Sequence, residues 1–176
     1  MKPILLLYIK LFFYFGITFG VFMLLLDIAF AKGWDSNVFL FRFAYFGGFM
    51  ALVLGTANLI RVKYLGGDIT SGTDLQVRQT RKVISTMGMQ DLINKLKVNP
   101  KLKRMDIQEE GMELKLQSDL SLASWGEKMN IKVRPEDDGL FAYEISSVPR
   151  WKTTLVDFGQ NLRNVMRVEK LLKNQS

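Results

Sequence analysis

Two stretches of this chain carry no formal charge for longer than any other part of it, Leu11–Leu26 and Phe43–Ile60. A hydrocarbon core about 30 Å thick takes about 20 residues of helix to cross, and each run reaches that length with its flanks. In lipid the backbone must satisfy its own polar groups, so such a run can span only as a helix. The spacing predicts one helix over residues 3–30 and a second over residues 38–63. The connection Ala31-Lys32-Gly33-Trp34-Asp35-Ser36 is too short for anything but a hairpin turn. Phe30, Trp34 and Phe39 beside it suit a membrane interface, where amphipathic rings collect.

Basic residues set the expected orientation. Lys2 and Lys10 flank the start of the first helix, and Arg61 and Lys63 flank the end of the second. The turn holds only Lys32, offset by Asp35. The positive-inside rule then predicts a multi-pass membrane protein with both termini in the cytoplasm and the turn outside. Ala29-Phe30-Ala31 resembles a signal-peptidase site, but its apolar region is longer than a typical signal. Cleavage there would still leave the second helix carrying the C-terminal part to the inside.

Charge then divides the chain. Residues 1–66 carry six Lys/Arg and two acids, whereas the rest is an ordinary charged polymer with a net charge of +3 out of the total +7. The 176 residues include no Cys and no His. That excludes disulfides, thiolate nucleophiles, Cys-ligated zinc, iron–sulfur clusters, Ser-His-Asp triads and histidine-ligated metals.

Small residues stripe both apolar helices: Gly16 and Gly20 in the first, and Gly47, Ala51 and Gly55 in the second. One turn apart, they let helix backbones approach closely in lipid. The two stripes can pack on each other within one chain or form a homodimer seam. Asp27 and Arg42 lie at similar distances from the turn on opposite legs. A lone charge at the bilayer centre costs roughly 2.5–3.5 kcal/mol and less near the interface, so the expectation is a mutual ion pair that pins the hairpin. An ion path is the alternative, weakened by the lack of a second polar layer deeper in.

Residues 64–73 (YLGGDITSGT) read as a linker to a domain over residues 74–176. In it, Leu75–Ser85 alternates as a strand and Met89–Val98 spaces Met89, Leu92, Ile93 and Leu96 as one helix face. Leu102–Gln108 and Met112–Asp119 alternate around a Glu109-Glu110-Gly111 turn. Lys128–Arg134 and Leu140–Val148 do so around Pro135-Glu136-Asp137-Asp138-Gly139. A final helix over Asp157–Lys173 carries Phe158, Leu162, Val165, Val168 or Glu169, and Leu172 along one face, with Asp157 and Gln160 spaced as a capping box. The order β-α-β-β-β-β-α predicts an α+β domain, two helices on one face of a mostly antiparallel sheet.

Four segments could carry chemistry. Glu136–Asp138 could hold a divalent cation but lacks the spaced ligands of a calcium loop, and reads better as a solvated turn, as does Glu109-Glu110. Arg163, Arg167 and Lys170 form a basic stripe on the last helix, either its solvated side or a face for anionic headgroups at roughly 1 kcal/mol per basic residue. Ser124-Trp125-Gly126-Glu127 places Trp125 to cover an end of the core, and Glu127 has no evident catalytic partner. The densest run, residues 146–161, concentrates hydroxyls with Arg150, Trp151, Lys152, Asp157 and Asn161. It could hold an anion at the helix start. The competing reading is a self-satisfied corner, because Asp157 would already occupy the cap.

This last run also carries a resemblance. Ser147 and Arg150, followed by Asp157-x-Gly159-x-Asn161, are similar to a bacterial and plastid domain family of unknown function. Its signature is a strand ending Arg-Ser-x-Ser-Arg and then Asp-x-Gly-x-Asn-x-x-Arg. Here Asn164 stands at the position of the final Arg, and Pro149 interrupts the Ser-Arg pair. The whole chain also resembles small two-helix membrane proteins of the Bacteroidetes type. The resemblance implies no catalytic residue and no cofactor. The expected function is a membrane anchor displaying a cytosolic binding or accessory domain, not an enzyme. Its expected partners are lipids and a protein or second copy, and not nucleic acid. The alternative is a module that meets anionic lipid at the inner leaflet.

Overall fold

The computed structural model describes residues 2–30, 32–70, 72–100, 102, 104–118 and 126–173. The chain divides into two compact units, Met1–Leu75 and Gln76–Ser176.

The first unit is a pair of helices, α1 (Lys2–Ala29) and α2 (Ser36–Tyr64), packed along their length. Both are long and apolar enough to cross a membrane, and only 17 % of the most apolar stretch of each is buried. Among the described residues the exposed large apolar side chains lie mostly here; outside this unit they are Ile84, Val98, Met112, Trp151 and Phe158. The seam is built from small residues. A Cβ on Gly47 would fall 2.6 Å from the Phe12 carbonyl oxygen and 3.1 Å from the Gly16 Cα, so the backbones touch at this level. Gly16 and Gly20 receive the rings of Phe43 and Phe39, and Gly55 receives Tyr8. Thus Gly16, Gly20, Gly47, Ala51 and Gly55 are all buried between the two helices of one chain. Phe19 stacks on Phe46 at 4.0 Å and Phe12 meets Phe43 edge-on at 5.1 Å, filling the flanks of the groove.

Helix α2 starts two residues before its expected position because Asp35 caps it, its carboxylate accepting from the amides of Asn37 and Val38. At the other end the turn-rich segment expected to be a plain linker belongs to the hairpin unit. The Asp74 carboxylate accepts from the Asp68 amide at 2.8 Å, and Asp68 accepts from the amide and hydroxyl of Thr70. Leu75 and Asp74 are buried by this fold-back, which is why no strand starts at Leu75.

The second unit runs β1 (Gln79–Ser85), α3 (Met89–Val98), β2 (Asp106–Glu110), β3 (Glu113–Gln117), β4 (Glu127–Pro135), β5 (Phe141–Pro149) and α4 (Gln160–Lys173). The five strands form one antiparallel sheet in the order β1-β5-β4-β3-β2. The α+β architecture and element order are those the sequence predicts. The boundaries differ in places. Leu102 and Met105 are buried in tight turns after α3, their amides donating to the carbonyls of Asn99 and Leu102, so β2 starts later. Glu109 and Glu110 belong to that strand and not to the turn, because Gly111, at φ +59°, lets the chain reverse with one further residue. Pro135 closes β4, and Asp137–Gly139 make a single helical turn before β5. Trp125 and the rest of 119–125 lie outside the described residues, as does the end of the expected strand to Asp119.

Alternation sorts the sheet into two faces. Val83, Tyr143, Ile145, Ile131, Val133, Leu114 and Leu116 lie buried with Leu92, Ile93 and Leu96 of α3 and Leu162, Val165, Val168 and Leu172 of α4. The opposite face carries Lys82, Glu144, Lys132 and Glu113 in direct cross-strand register, an alternation of sign that stabilises a solvated sheet.

Candidate functional site

At one end of the helix-covered face the core turns polar. The row Gln79–Ser147 crosses β1 and β5 there, and both residues are buried. The loop after β5 then descends to α4 through an unusual corner. Phe158 and Gly159 both adopt positive φ, +50° and +68°, and the Gln160 amide donates to the Asp157 carbonyl at 3.0 Å. Two consecutive left-handed residues closed by that bond have the form of a mirror-image β-turn, which Gly159 tolerates and Phe158 tolerates only under constraint. The constraint is Asp157. Its carboxylate accepts from the Gly159 amide at 3.1 Å, the Asn161 amide at 2.8 Å and the Asn161 side-chain amide at 2.7 Å. Asn161 in turn accepts from the Ser147 hydroxyl at 2.6 Å.

The helix therefore begins at Gln160 rather than Asp157, and Phe158 stands outside its apolar face. The reciprocal half of the expected capping box is absent, since the Gln160 side chain accepts from Arg163 at 3.2 Å instead. Ser147, Asp157 and Asn161 come from separate parts of the resembling motif, and the fold joins them in one chain of hydrogen bonds. Burial pushes the Asp157 carboxyl above its ordinary range, with the Asn161 and Gly159 donors opposing that rise. Filled in this way, the start of α4 has little left to offer an anion.

One turn further along α4 lies Asn164, which the sequence reading did not single out. Its side chain is completely buried, and neither its amide nitrogen nor its oxygen has a partner among the described residues. The signal was present: Asn161 and Asn164 fall on the apolar side of the helix, with Leu162, Val165 and Val168. Glu127, the other acid on this face, is clamped rather than available. Its carboxylate accepts from the Ser118 hydroxyl at 2.7 Å, and that hydroxyl accepts from the Glu127 amide at 2.8 Å.

The remaining candidates are not gathered into this corner. Arg150, Trp151 and Lys152 are exposed in the loop, where the Arg150 amide donates to the Gly126 carbonyl at 2.9 Å. Arg163 and Arg167 are half-buried neighbours, and Lys170 is exposed. Burial and the nearby Arg163 charge pull the Arg167 guanidinium below its ordinary value. Lys173 pairs with Glu169. On the open face of the sheet a shallow groove of about 280 Å³ is lined by Lys115, Lys128, Asn130 and Ser146, but Lys115 is already bonded to Glu110, which raises its pKa. Glu136, Asp137 and Asp138 are exposed in the β4–β5 turn.

In the hairpin unit Asp27 and Arg42 form the ion pair that their spacing predicts, with Arg42 Nη1 bonded to Asp27 Oδ2 and both side chains partly buried. A second polar clasp, between the hydroxyls of Tyr8 and Thr56 at 2.8 Å, was not foreseen. Asn58, two residues on and buried, has a side-chain oxygen with no partner among the described residues. Comparison of the chain with family models, curated proteins and solved structures finds no match.

Proposed function

We propose that the hairpin anchors this protein in a bacterial cytoplasmic membrane, both termini inside, and displays the sheet domain to the cytoplasm as a non-catalytic binding module. The observation that carries the anchor is the outward apolar surface of α1 and α2, which pairing of the helices leaves uncovered. Water would not tolerate that area, and lipid requires it. Lys2, Lys10, Arg61 and Lys63 at the open end of the hairpin, against Lys32 and Asp35 at its turn, support the orientation. What supports a binding role is the chemistry of the domain. Its half-buried Asp157 and buried Glu127 are engaged by Ser, Asn and backbone donors, an arrangement that fixes the local fold rather than cycles a proton.

The absence of cysteine makes the test clean. A single cysteine at Ser36 should react with an impermeant thiol reagent in intact cells, and one at Asn174 only after lysis. The reverse pattern overturns the orientation.

A second reading has a specific observation behind it. Arg167 is half-buried beside Arg163 and bonded to nothing among the described residues, a setting that an anionic headgroup would relieve. In nanodiscs, amide exchange along α4 should slow when anionic lipid is added and recover in high salt. An α4 that is indifferent to lipid charge removes this reading.

A further inference from the structure

Beside the turn of the hairpin lies a half-open cavity of about 190 Å³ whose polar lining is Asp27 and Arg42 with the exposed Lys32, Trp34 and Asp35, and whose apolar side includes Leu24 and Ile28. Much of this lining is already committed. Asp27 and Arg42 hold each other, the Lys32 amide donates to the Asp27 carbonyl at 2.8 Å, and one Asp35 oxygen caps α2. What is left over is chemically selective. The Lys32 ammonium and the Trp34 indole N–H have no partner among the described residues, and Arg42 uses one of its five N–H donors. The second oxygens of Asp27 and Asp35 remain as acceptors. The four charges sum to zero, so the cavity does not favour a bare phosphate dianion; it offers donors and acceptors side by side.

We propose that this cavity binds the headgroup of an amine-bearing phospholipid. The phosphodiester would take the Lys32, Arg42 and Trp34 donors, and the ammonium the spare carboxylate oxygens of Asp27 and Asp35. Three observations select a lipid over a soluble ligand. The cavity is smaller than those that engulf whole small molecules, and so fits a headgroup. It opens at the end of two helices built to cross a bilayer, the level at which headgroups lie. Its apolar wall continues into the exposed faces of α1 and α2, along which acyl chains can run. The proposal rests on the hairpin lying in a bilayer, whichever side the turn faces.

The test uses the full chain in mild detergent, followed by native mass spectrometry with phosphatidylethanolamine, phosphatidylglycerol and diacylglycerol of identical chains. The ethanolamine lipid should be retained at about tenfold lower concentration than either of the others, the effect of about one charge-assisted contact. Lys32→Gln should reduce the preference over diacylglycerol, which the phosphodiester contacts carry, and leave that over phosphatidylglycerol; Lys32→Arg should keep both, and Lys82→Gln on the open sheet face should leave both intact. Equal retention of the three lipids overturns the site, as does an undiminished preference over diacylglycerol in Lys32→Gln. Displacement of the lipid by an equal concentration of soluble phosphoethanolamine also overturns it, by assigning the cavity to a soluble ligand. Alkaline extraction of membranes is read separately. Release of the protein removes the anchor and this site together, whereas retention without lipid preference removes the site alone.

Discussion

The hairpin and the sheet domain solve the same packing problem with opposite materials. In α1 and α2 the buried positions include Gly16, Gly20, Gly47, Ala51 and Gly55, while Leu, Phe and Ile face outward. In the sheet unit Leu, Ile, Val and Met are inside, and Lys82, Glu144 and Lys132 cover the open face. With the hairpin in lipid, as proposed above, and the sheet domain in water, the difference follows from the solvent. Water drives large apolar side chains together, so a core fills with them. Lipid gives them no reason to leave the surface, and contact is gained instead by bringing backbones close over small residues. Polar groups follow the same inversion. The hairpin places Tyr8–Thr56 and Asp27–Arg42 as clasps at its two ends, whereas the domain gathers Ser147, Asn161 and Asp157 into one buried corner.

Adjacent glycines offer the largest test of this contrast. Gly47→Ala pushes a methyl into the Phe12 carbonyl and should cost the hairpin about 2–3 kcal/mol, read as earlier loss of helicity in a detergent titration. Gly48→Ala meets nothing within 4 Å and should be neutral or slightly stabilising, through helix propensity alone. Equal losses at the two positions would show that close approach is not what holds the seam.

The clasp comes next. Asp27→Asn and Arg42→Gln should each destabilise the hairpin, and the double variant should be better than their sum by about 1–2 kcal/mol. A strictly additive cycle would mean that the pair contributes nothing to pinning. In the domain, Asn164→Leu should raise stability by about 1–2 kcal/mol, because it replaces two unbonded buried polar atoms with apolar ones of similar size. A loss of stability there would show that Asn164 has a partner of its own, such as a buried water.

The smallest effect is a pH slope. The folded Asp157 carboxyl is raised above its unfolded value, so its favourable contribution is complete below the ordinary carboxylate range and is lost as pH rises through the raised value. The melting temperature of the wild type relative to Asp157→Asn should therefore fall from acid toward neutral pH. A difference that grows with pH would mean that the Asn161 and Gly159 donors outweigh burial.

Periodicity and charge determined a good deal of this protein unaided. The apolar runs specify two helices, because lipid-length segments without charge have no other way to satisfy their backbone. The match of Asp27 to Arg42 was legible because both legs are counted from one turn. The β-α-β-β-β-β-α order followed from alternation in the strands and the helix periods read over 89–98 and 157–173. Tertiary structure alone decided the rest. That Asp157 bends the chain into left-handed residues before α4, and that Asn161 reaches Ser147 across 14 positions, depends on how the helix settles over β1 and β5. The fold-back of Asp68–Asp74 is likewise a matter of turn hydrogen bonds that no period encodes. The cavity at the hairpin turn exists because side chains spaced along two helices meet only when the seam closes. Local pattern fixes what each segment is, but a binding site is made of distances between segments, and those are set by packing.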